Sequence, residues 1–66
     1  MTNNLKVLRA IINISQEELS KKIEVSRQTI NAMEKGKYVP STVLTLKLAR
    51  YFEVSVEEIF ALESSD

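Results

Sequence analysis

One local pattern occurs three times along the chain, at residues 12–15, 23–26 and 52–55. Each copy reads apolar, polar, apolar, Ser, and another apolar residue follows four positions after the Ser. The first apolar residue can close a helix, and the polar residue after it can take the left-handed conformation of a helix end. The Ser is placed to cap the next helix, and the apolar residues around it form a hydrophobic staple. The pattern therefore predicts three sharp helix-to-helix corners, with capping boxes at Ser15–Glu18 and Ser55–Glu58.

Helical spacing of the apolar residues indicates five helices around these corners. We expect helix 1 from residue 3 or 4 to residue 12, helix 2 over 16–23, helix 3 over 27–35, helix 4 over 42–52 and helix 5 over 56–62. Gly36 ends helix 3, Pro40 keeps the loop before it out of helical conformation, and residues 62–66 fray. No segment alternates as a strand does. The predicted fold is all-α, a compact five-helix bundle.

These helices are too short to be stable alone, so a shared core must hold them. The core residues that we expect are Leu8, Leu19, Ile23, Val25, Ile30, Met33, Leu44, Leu48, Ile59 and Phe60.

The chain has the length of one domain, residues 1–66, and its composition argues against several kinds of site. It contains no Cys and no His, so disulfides, zinc–thiolate sites and the commonest general base are absent. A domain of this size has little room for a substrate pocket. We therefore expect no enzyme, no metal and no cofactor. Without a signal peptide or an apolar run of membrane length, we expect a cytoplasmic protein with no membrane partner.

Charge is distributed unevenly although the formal net charge is zero. All nine Lys and Arg residues lie within residues 1–50, together with only four acids. Residues 51–66 hold the other five acids and no base. One end is therefore basic and the other acidic, which would orient the molecule near a polyanion. The simpler interpretation is a solvated surface whose asymmetry arose by chance.

Residues 15–37 read as two short helices joined by a three-residue turn. The phrases Ser-Gln-Glu-Glu-Leu and Val-Ser-Arg-Gln-Thr-Ile-Asn-Ala-Met-Glu-Lys-Gly-Lys closely resemble the Cro/phage-repressor type of helix-turn-helix, often called the XRE family. The resemblance extends over residues 5–60. It implies a lambda-repressor-like fold and a DNA-binding protein that lays helix 3 in the major groove.

By this resemblance, the start of helix 3 reads bases, and the helix starts and loops around it hold phosphates. Arg can bind guanine O6 and N7, and Gln can pair with adenine N6 and N7. The alternative is that these are ordinary solvated residues, although Arg in a first turn is slightly unfavourable for the helix dipole. The base contacts that we expect are Arg27, Gln28, Asn31 and Ala32. The phosphate contacts that we expect are Gln16, Ser26, Thr29, Lys35, Lys37, Tyr38, Ser41 and Thr42.

The resemblance also implies structural roles. Arg9 and Glu34 would form a salt bridge between helices 1 and 3, and the small Ser20 would let helices 2 and 3 approach closely. Glu24 and Glu53 depart from the family, in which Gly is common at both positions. A left-handed residue other than Gly costs about 1 kcal/mol, so each site would carry that cost or adopt another turn.

One recognition helix reads only a few base pairs, and members of this family dimerise to place two helices in successive major grooves. We therefore expect a homodimer on double-stranded DNA that regulates transcription by repression. Any signal would arrive through a separate partner protein, through the abundance of the regulator or through competition for its site. The alternative is a protein-binding module such as an antitoxin or adaptor, which would lack base-reading chemistry at helix 3. The dimer interface that we expect is Tyr51, Val54, Val56, Phe60, Ala61 and Leu62, unless these residues only complete the core.

Overall fold

Five helices follow one another along the chain, and a two-residue strand lies at each end. The computed structural model describes every residue from Met1 to Asp66. The elements in chain order are β1 (Thr2–Asn3), α1 (Leu5–Ile12), α2 (Gln16–Ile23), α3 (Arg27–Glu34), α4 (Thr42–Phe52), α5 (Val56–Ile59) and β2 (Phe60–Ala61). The predicted five-helix bundle is confirmed. The α3 helix is one residue shorter than expected, and α1 begins at Leu5 and not at residue 3 or 4, because Thr2–Asn3 form a strand. None of the helices has the length and apolar character that a membrane crossing requires.

The three predicted corners are present, and the same backbone arrangement closes each of them. The residue after each helix is left-handed, with φ of 56° at Asn13, 61° at Glu24 and 56° at Glu53. The amide of the next residue turns back to a carbonyl in the last helical turn, as Val25 N does to Ser20 O at 3.0 Å. Glu24 and Glu53 therefore adopt the strained conformation rather than a different turn.

Ser side chains begin the helices that leave these corners. Ser15, Ser26 and Ser55 each accept a hydrogen bond from the amide three residues later. The Glu18 carboxylate accepts a bond from the Ser15 amide, so the predicted capping box is present there. At α5 the Ser55 amide donates no bond to the Glu58 carboxylate, and the prediction of a second capping box is wrong. That helix is a single turn whose last carbonyls are tied to the chain start instead.

The two chain ends pair with each other, and this corrects the predicted end of helix 5. Thr2 lies opposite Ala61, and Asn3 lies opposite Phe60, in an antiparallel pair. Phe60 has the extended conformation of a strand, so α5 ends at Ile59 and the predicted helix to residue 62 is wrong. The short, polar termini show no strand-like alternation in the sequence, and the structure pairs them as a small sheet. Pairing between residues so distant in sequence supplies the backbone hydrogen bonds that another turn of helix would have made.

A single apolar core lies between the helices. Its buried members are Leu5, Leu19, Ile23, Ile30, Met33, Leu44, Leu48, Ile59 and Phe60. Most of the predicted core is therefore confirmed. Leu8 and Val25 were expected to be buried and are only half-buried, whereas Leu5, at the start of α1, is fully enclosed. Ser20 is also buried, where α2 packs against its neighbours, and its hydroxyl donates to the Glu17 carbonyl at 2.7 Å.

Candidate nucleic-acid interface

The α3 helix turns one face to the core and leaves the other face open. Ile30 and Met33 are fully buried on the inner face. Arg27 and Gln28, in the first turn, are exposed and make no ion pair or hydrogen bond through their side chains. Asn31, one turn further along, is half-buried. The outer face thus presents polar groups from the start of the helix to its middle.

The starts of α2 and α3 lie side by side on this surface. One shallow hollow is lined by Arg9, Ser15, Gln16, Glu17 and Arg27. A second hollow next to it is lined by Gln16, Arg27, Gln28 and Asn31, so two residues border both. Both helix starts carry the partial positive charge of unpaired amides. This charge and the Arg27 guanidinium favour an anion here, and Glu17 is the acidic group that opposes it.

Several backbone amides at these helix starts are free to donate. The amides of Gln16 and Glu17 bond to no other group of the chain, because the cap at Ser15 takes only the Glu18 amide. At α3, the Ser26 hydroxyl accepts from the Thr29 amide at 3.1 Å and lies 2.9 Å from the Thr29 hydroxyl. One of those two hydroxyl hydrogens is used within the pair, so the other can reach a phosphate oxygen.

An ion pair joins α1 to the last turn of α3. Arg9 Nε lies 2.6 Å from Glu34 Oε2, and Arg9 donates a second bond to Oε1 at 3.0 Å. The guanidinium also donates to the Ile14 carbonyl at 3.0 Å. The side chains are only 15% and 6% exposed. This bidentate, largely buried geometry is the strong form of an arginine–carboxylate contact.

Burial and hydrogen bonding act in opposite directions on the pKa of Glu34. Burial alone would raise it, but bonds from Arg9 and Gln16 and the positive charge of Arg9 outweigh burial and lower it. The hydrogen bonds that Arg9 donates to Glu34 raise the pKa of Arg9 in turn. Both groups are therefore charged at neutral pH.

The Gln16 side chain extends this ion pair to the outer face of α3. Its amide nitrogen donates to Glu34 Oε1 at 3.0 Å and lies 3.3 Å from Asn31 Oδ1. Gln16, expected as a phosphate contact, thus has its amide hydrogens turned inward. We call these four side chains (Arg9, Glu34, Gln16 and Asn31) the amide relay. Sequence reasoning missed it because nothing in the spacing of Gln16, Asn31 and Glu34 specifies how their amide groups turn.

The loop after α3 carries the other expected phosphate contacts. Gly36, with φ of 72°, ends the helix, and the Lys37 amide bonds back to the Ala32 carbonyl at 2.9 Å. The Ser41 hydroxyl accepts from the Leu44 amide and starts α4. Ala32, expected to touch a base, is half-buried. The remaining predicted contacts in this region are exposed, namely Lys35, Lys37, Tyr38 and Thr42.

The expected dimer residues run from the end of α4 to just past β2, in the acidic part of the chain. Phe60 is only 8% exposed and belongs to the core, so it offers little area to a partner. Tyr51, Val54 and Val56 are half-buried against the same core. Leu62 is 81% exposed and is the largest free apolar side chain of the set.

Known proteins similar to this chain share its length and motif. A family model described as helix-turn-helix matches residues 5–59. An uncharacterized HTH-type transcriptional regulator of Methanocaldococcus jannaschii is 53% identical over 66 residues, which is the whole of both chains. One from Bacillus subtilis is 46% identical, again over the whole of both. One from Archaeoglobus fulgidus is 44% identical over all of this chain and 93% of its own length.

Proposed function

The chain belongs to the helix-turn-helix family of DNA-binding transcriptional regulators, of the Cro/phage-repressor (XRE) type, and from this premise we propose that it is a repressor. It binds a near-palindromic operator as a homodimer and inserts α3 into the major groove. The observation that carries the proposal is the exposed, unpaired pair Arg27 and Gln28, at the start of a helix whose opposite face is locked in the core. Side chains that read bases need this freedom on a fixed support.

Direct base readout comes from the first turn of α3. Arg27 can bind guanine O6 and N7 with two parallel hydrogen bonds, and Gln28 can pair with adenine N6 and N7. Each such pair contributes about 1–3 kcal/mol of discrimination against a wrong base. Asn31 and Ala32 lie one turn further along the helix and complete the set of base contacts.

Phosphate contacts position the helix in the groove. On one side, the free amides of Gln16 and Glu17 point from the start of α2 towards a phosphate, and a hydroxyl of the Ser26–Thr29 pair lies at the start of α3. On the other side, the loop and the start of α4 provide Lys35, Lys37, Tyr38, Ser41 and Thr42. Contacts of this kind fix register and carry no sequence information themselves.

A dimer supplies the selectivity that one helix lacks. Two recognition helices about 34 Å apart enter successive major grooves on one side of the duplex, which matches a near-palindromic site. The interface that we propose is the surface around Tyr51, Val54, Val56, Ala61 and Leu62, with a small share from Phe60. It lies in the acidic part of the chain, where contact with DNA is unfavourable. A separate protein partner would convey any signal.

Selection of bound duplexes from a random DNA pool at near-physiological salt tests the proposal. We expect an enriched inverted repeat whose half-sites are one helical turn apart. Recovery of no sequence above background, by protein shown to be folded, would rule out a sequence-specific repressor and favour a protein-binding module.

Two variants then separate the roles of the surface on the selected duplex. Gln28→Ala should relax specificity at one base pair of the half-site. Lys37→Ala should weaken binding to all duplexes about equally and reduce the slope of log affinity against log salt by about one. If both variants weakened all sequences alike, Gln28 would be a phosphate or structural contact and not a base contact.

A further inference from the structure

The amide relay has a fixed polarity that begins at the carboxylate of Glu34. An ionised carboxylate only accepts hydrogen bonds, and Arg9 and Gln16 both donate to this one. Gln16 must therefore turn its amide nitrogen, and not its oxygen, towards Glu34. The orientation of this side-chain amide follows from chemistry, since the reverse orientation would place two acceptors against each other.

The second hydrogen of the Gln16 amide sets the orientation of Asn31 in turn. A primary amide nitrogen carries two hydrogens, and Glu34 takes one of them. The other hydrogen faces Asn31 Oδ1, which lies 3.3 Å from Gln16 Nε2. The Asn31 oxygen is thereby turned towards the protein. Its Nδ2 group donates no hydrogen bond within the protein, and Asn31 lines the hollow shared with Arg27 and Gln28.

We propose that the relay makes Asn31 a fixed hydrogen-bond donor, so that the base it reads presents acceptors, guanine before adenine. This inference rests on the proposed function and specifies the chemistry of one of its contacts. A freely rotating Asn pairs with adenine, giving a hydrogen to N7 and accepting one from N6. With its oxygen held inward, Asn31 keeps only the donor half of that pattern. Guanine N7 and O6 are both acceptors and match it.

In this arrangement Gln16 is a positioning residue. It acts on the bases through Asn31, although it lies on α2 and not on the recognition helix. The relay also links base choice to the ion pair that ties α1 to α3. The Gln16 amide hydrogen that bonds to Asn31 Oδ1 therefore determines discrimination against adenine, although Gln16 itself contacts no base.

Duplexes that vary one base pair at a time in the selected half-site test this inference. Asn31→Ala should lose discrimination at one base pair only, which identifies the position that Asn31 reads. There, the wild-type protein should bind guanine at least about fivefold more tightly than adenine. Gln16→Met keeps the length of the side chain and removes the amide, so the guanine-to-adenine ratio should fall to about twofold or less.

Asn31→Asp provides a reversal at the same position. Its carboxylate can still accept from Gln16 but has no hydrogen to donate, so the preference should move from guanine to bases with a donor edge, such as cytosine. The ratio between duplexes is the readout in each case, because a structural defect or a lost phosphate contact lowers affinity for all duplexes together. An unchanged ratio in Gln16→Met, or a wild-type preference for adenine, would overturn the inference.

A measurement without DNA separates this inference from the proposed function. In the DNA-free protein, the side-chain amide hydrogens of Gln16 should exchange with water more slowly than those of Gln28, which bond to nothing. Equal exchange would show that the relay does not form and would overturn the inference even if an operator were selected. Slow exchange together with no selected operator would instead place the failure in the proposed function.

Discussion

The two ends of α3 are built in opposite ways. At its start, Arg27 and Gln28 extend into solvent without a partner. At its end, three elements hold the last turn: Asn3 of β1 donates to the Met33 carbonyl at 2.7 Å, and Arg9 of α1 and Gln16 of α2 donate to Glu34. The bonds at its last turn fix the position of α3, and the side chains of its first turn are the ones that we propose contact bases. Side chains at the start are therefore free to change specificity with little effect on folding.

The largest effect that tests this comparison is on stability at the bound end. Glu34→Ala leaves the Arg9 guanidinium without its carboxylate in a largely buried site, which should lower the free energy of unfolding by about 3 kcal/mol or more. Gln28→Ala, at the free end, should change it by less than about 0.5 kcal/mol. Urea unfolding followed by circular dichroism measures both. Similar losses in the two variants would show that both ends of α3 contribute equally to the free energy of unfolding.

The next effect is on DNA affinity at the free end. Arg27→Ala should weaken binding to the selected operator by about 1–3 kcal/mol and leave the urea midpoint unchanged. Arg50→Ala is the matched control, since it removes another exposed guanidinium, from the last turn of α4. Titration of a labelled operator duplex gives both affinities. Equal weakening by the two variants would mean that Arg27 contributes only its charge.

A smaller effect concerns the residues that flank α3, which share one conformation but differ in chemistry. Glu24 before the helix has φ of 61°, and Gly36 after it has φ of 72°. Glu24→Gly should stabilise the protein by about 1 kcal/mol, offset slightly by the loss of an exposed ion pair with Lys47. Gly36→Ala should destabilise it by about the same amount, because its φ is unfavourable for a residue with a Cβ. No steric clash adds to this cost, since the added Cβ would lie 3.7 Å from Met1 O, an ordinary contact. Thermal unfolding would detect the opposite signs, and equal signs would contradict the conformational explanation.

The smallest effect is the acid sensitivity of the bound end. The folded-state pKa of Glu34 is lowered from its ordinary value of 4.5, so its contribution to stability is complete above that value. The contribution is lost as pH falls through the lower folded pKa. The wild-type protein should therefore lose more stability than Glu34→Gln between neutral pH and pH 3. Urea midpoints over this range test it, and parallel curves would contradict it. Glu18 and Asp66 also have lowered pKa values, but their contributions to acid sensitivity are the same in both proteins and cancel in the comparison.

Features that depend on neighbouring residues could be predicted from the sequence. The corners follow from a helix end, a polar residue and a capping Ser within a few positions, and the start of α3 follows from Ser26. Features that depend on distant residues did not follow from the local pattern, and the Arg9–Glu34 ion pair was expected only through the family resemblance. The end of α5 is decided by a strand from the other end of the chain, and the orientation of Gln16 by a carboxylate on another helix. The strand pair also explains why Phe60 is in the core and not on the surface.

The strand pair between the chain ends has a consequence for the order in which the protein folds. Pairing Thr2 and Asn3 with Phe60 and Ala61 closes a loop of nearly the whole chain, whereas α2 and α3 meet across a turn of three residues. Loop closure is entropically more costly for the longer loop, so the helical contacts should form first and the strands last. A weakened strand pair, as in Thr2→Pro, would then speed unfolding and leave the folding rate nearly unchanged. The strand pair therefore slows the unfolding of a helical bundle that assembles before the two chain ends meet.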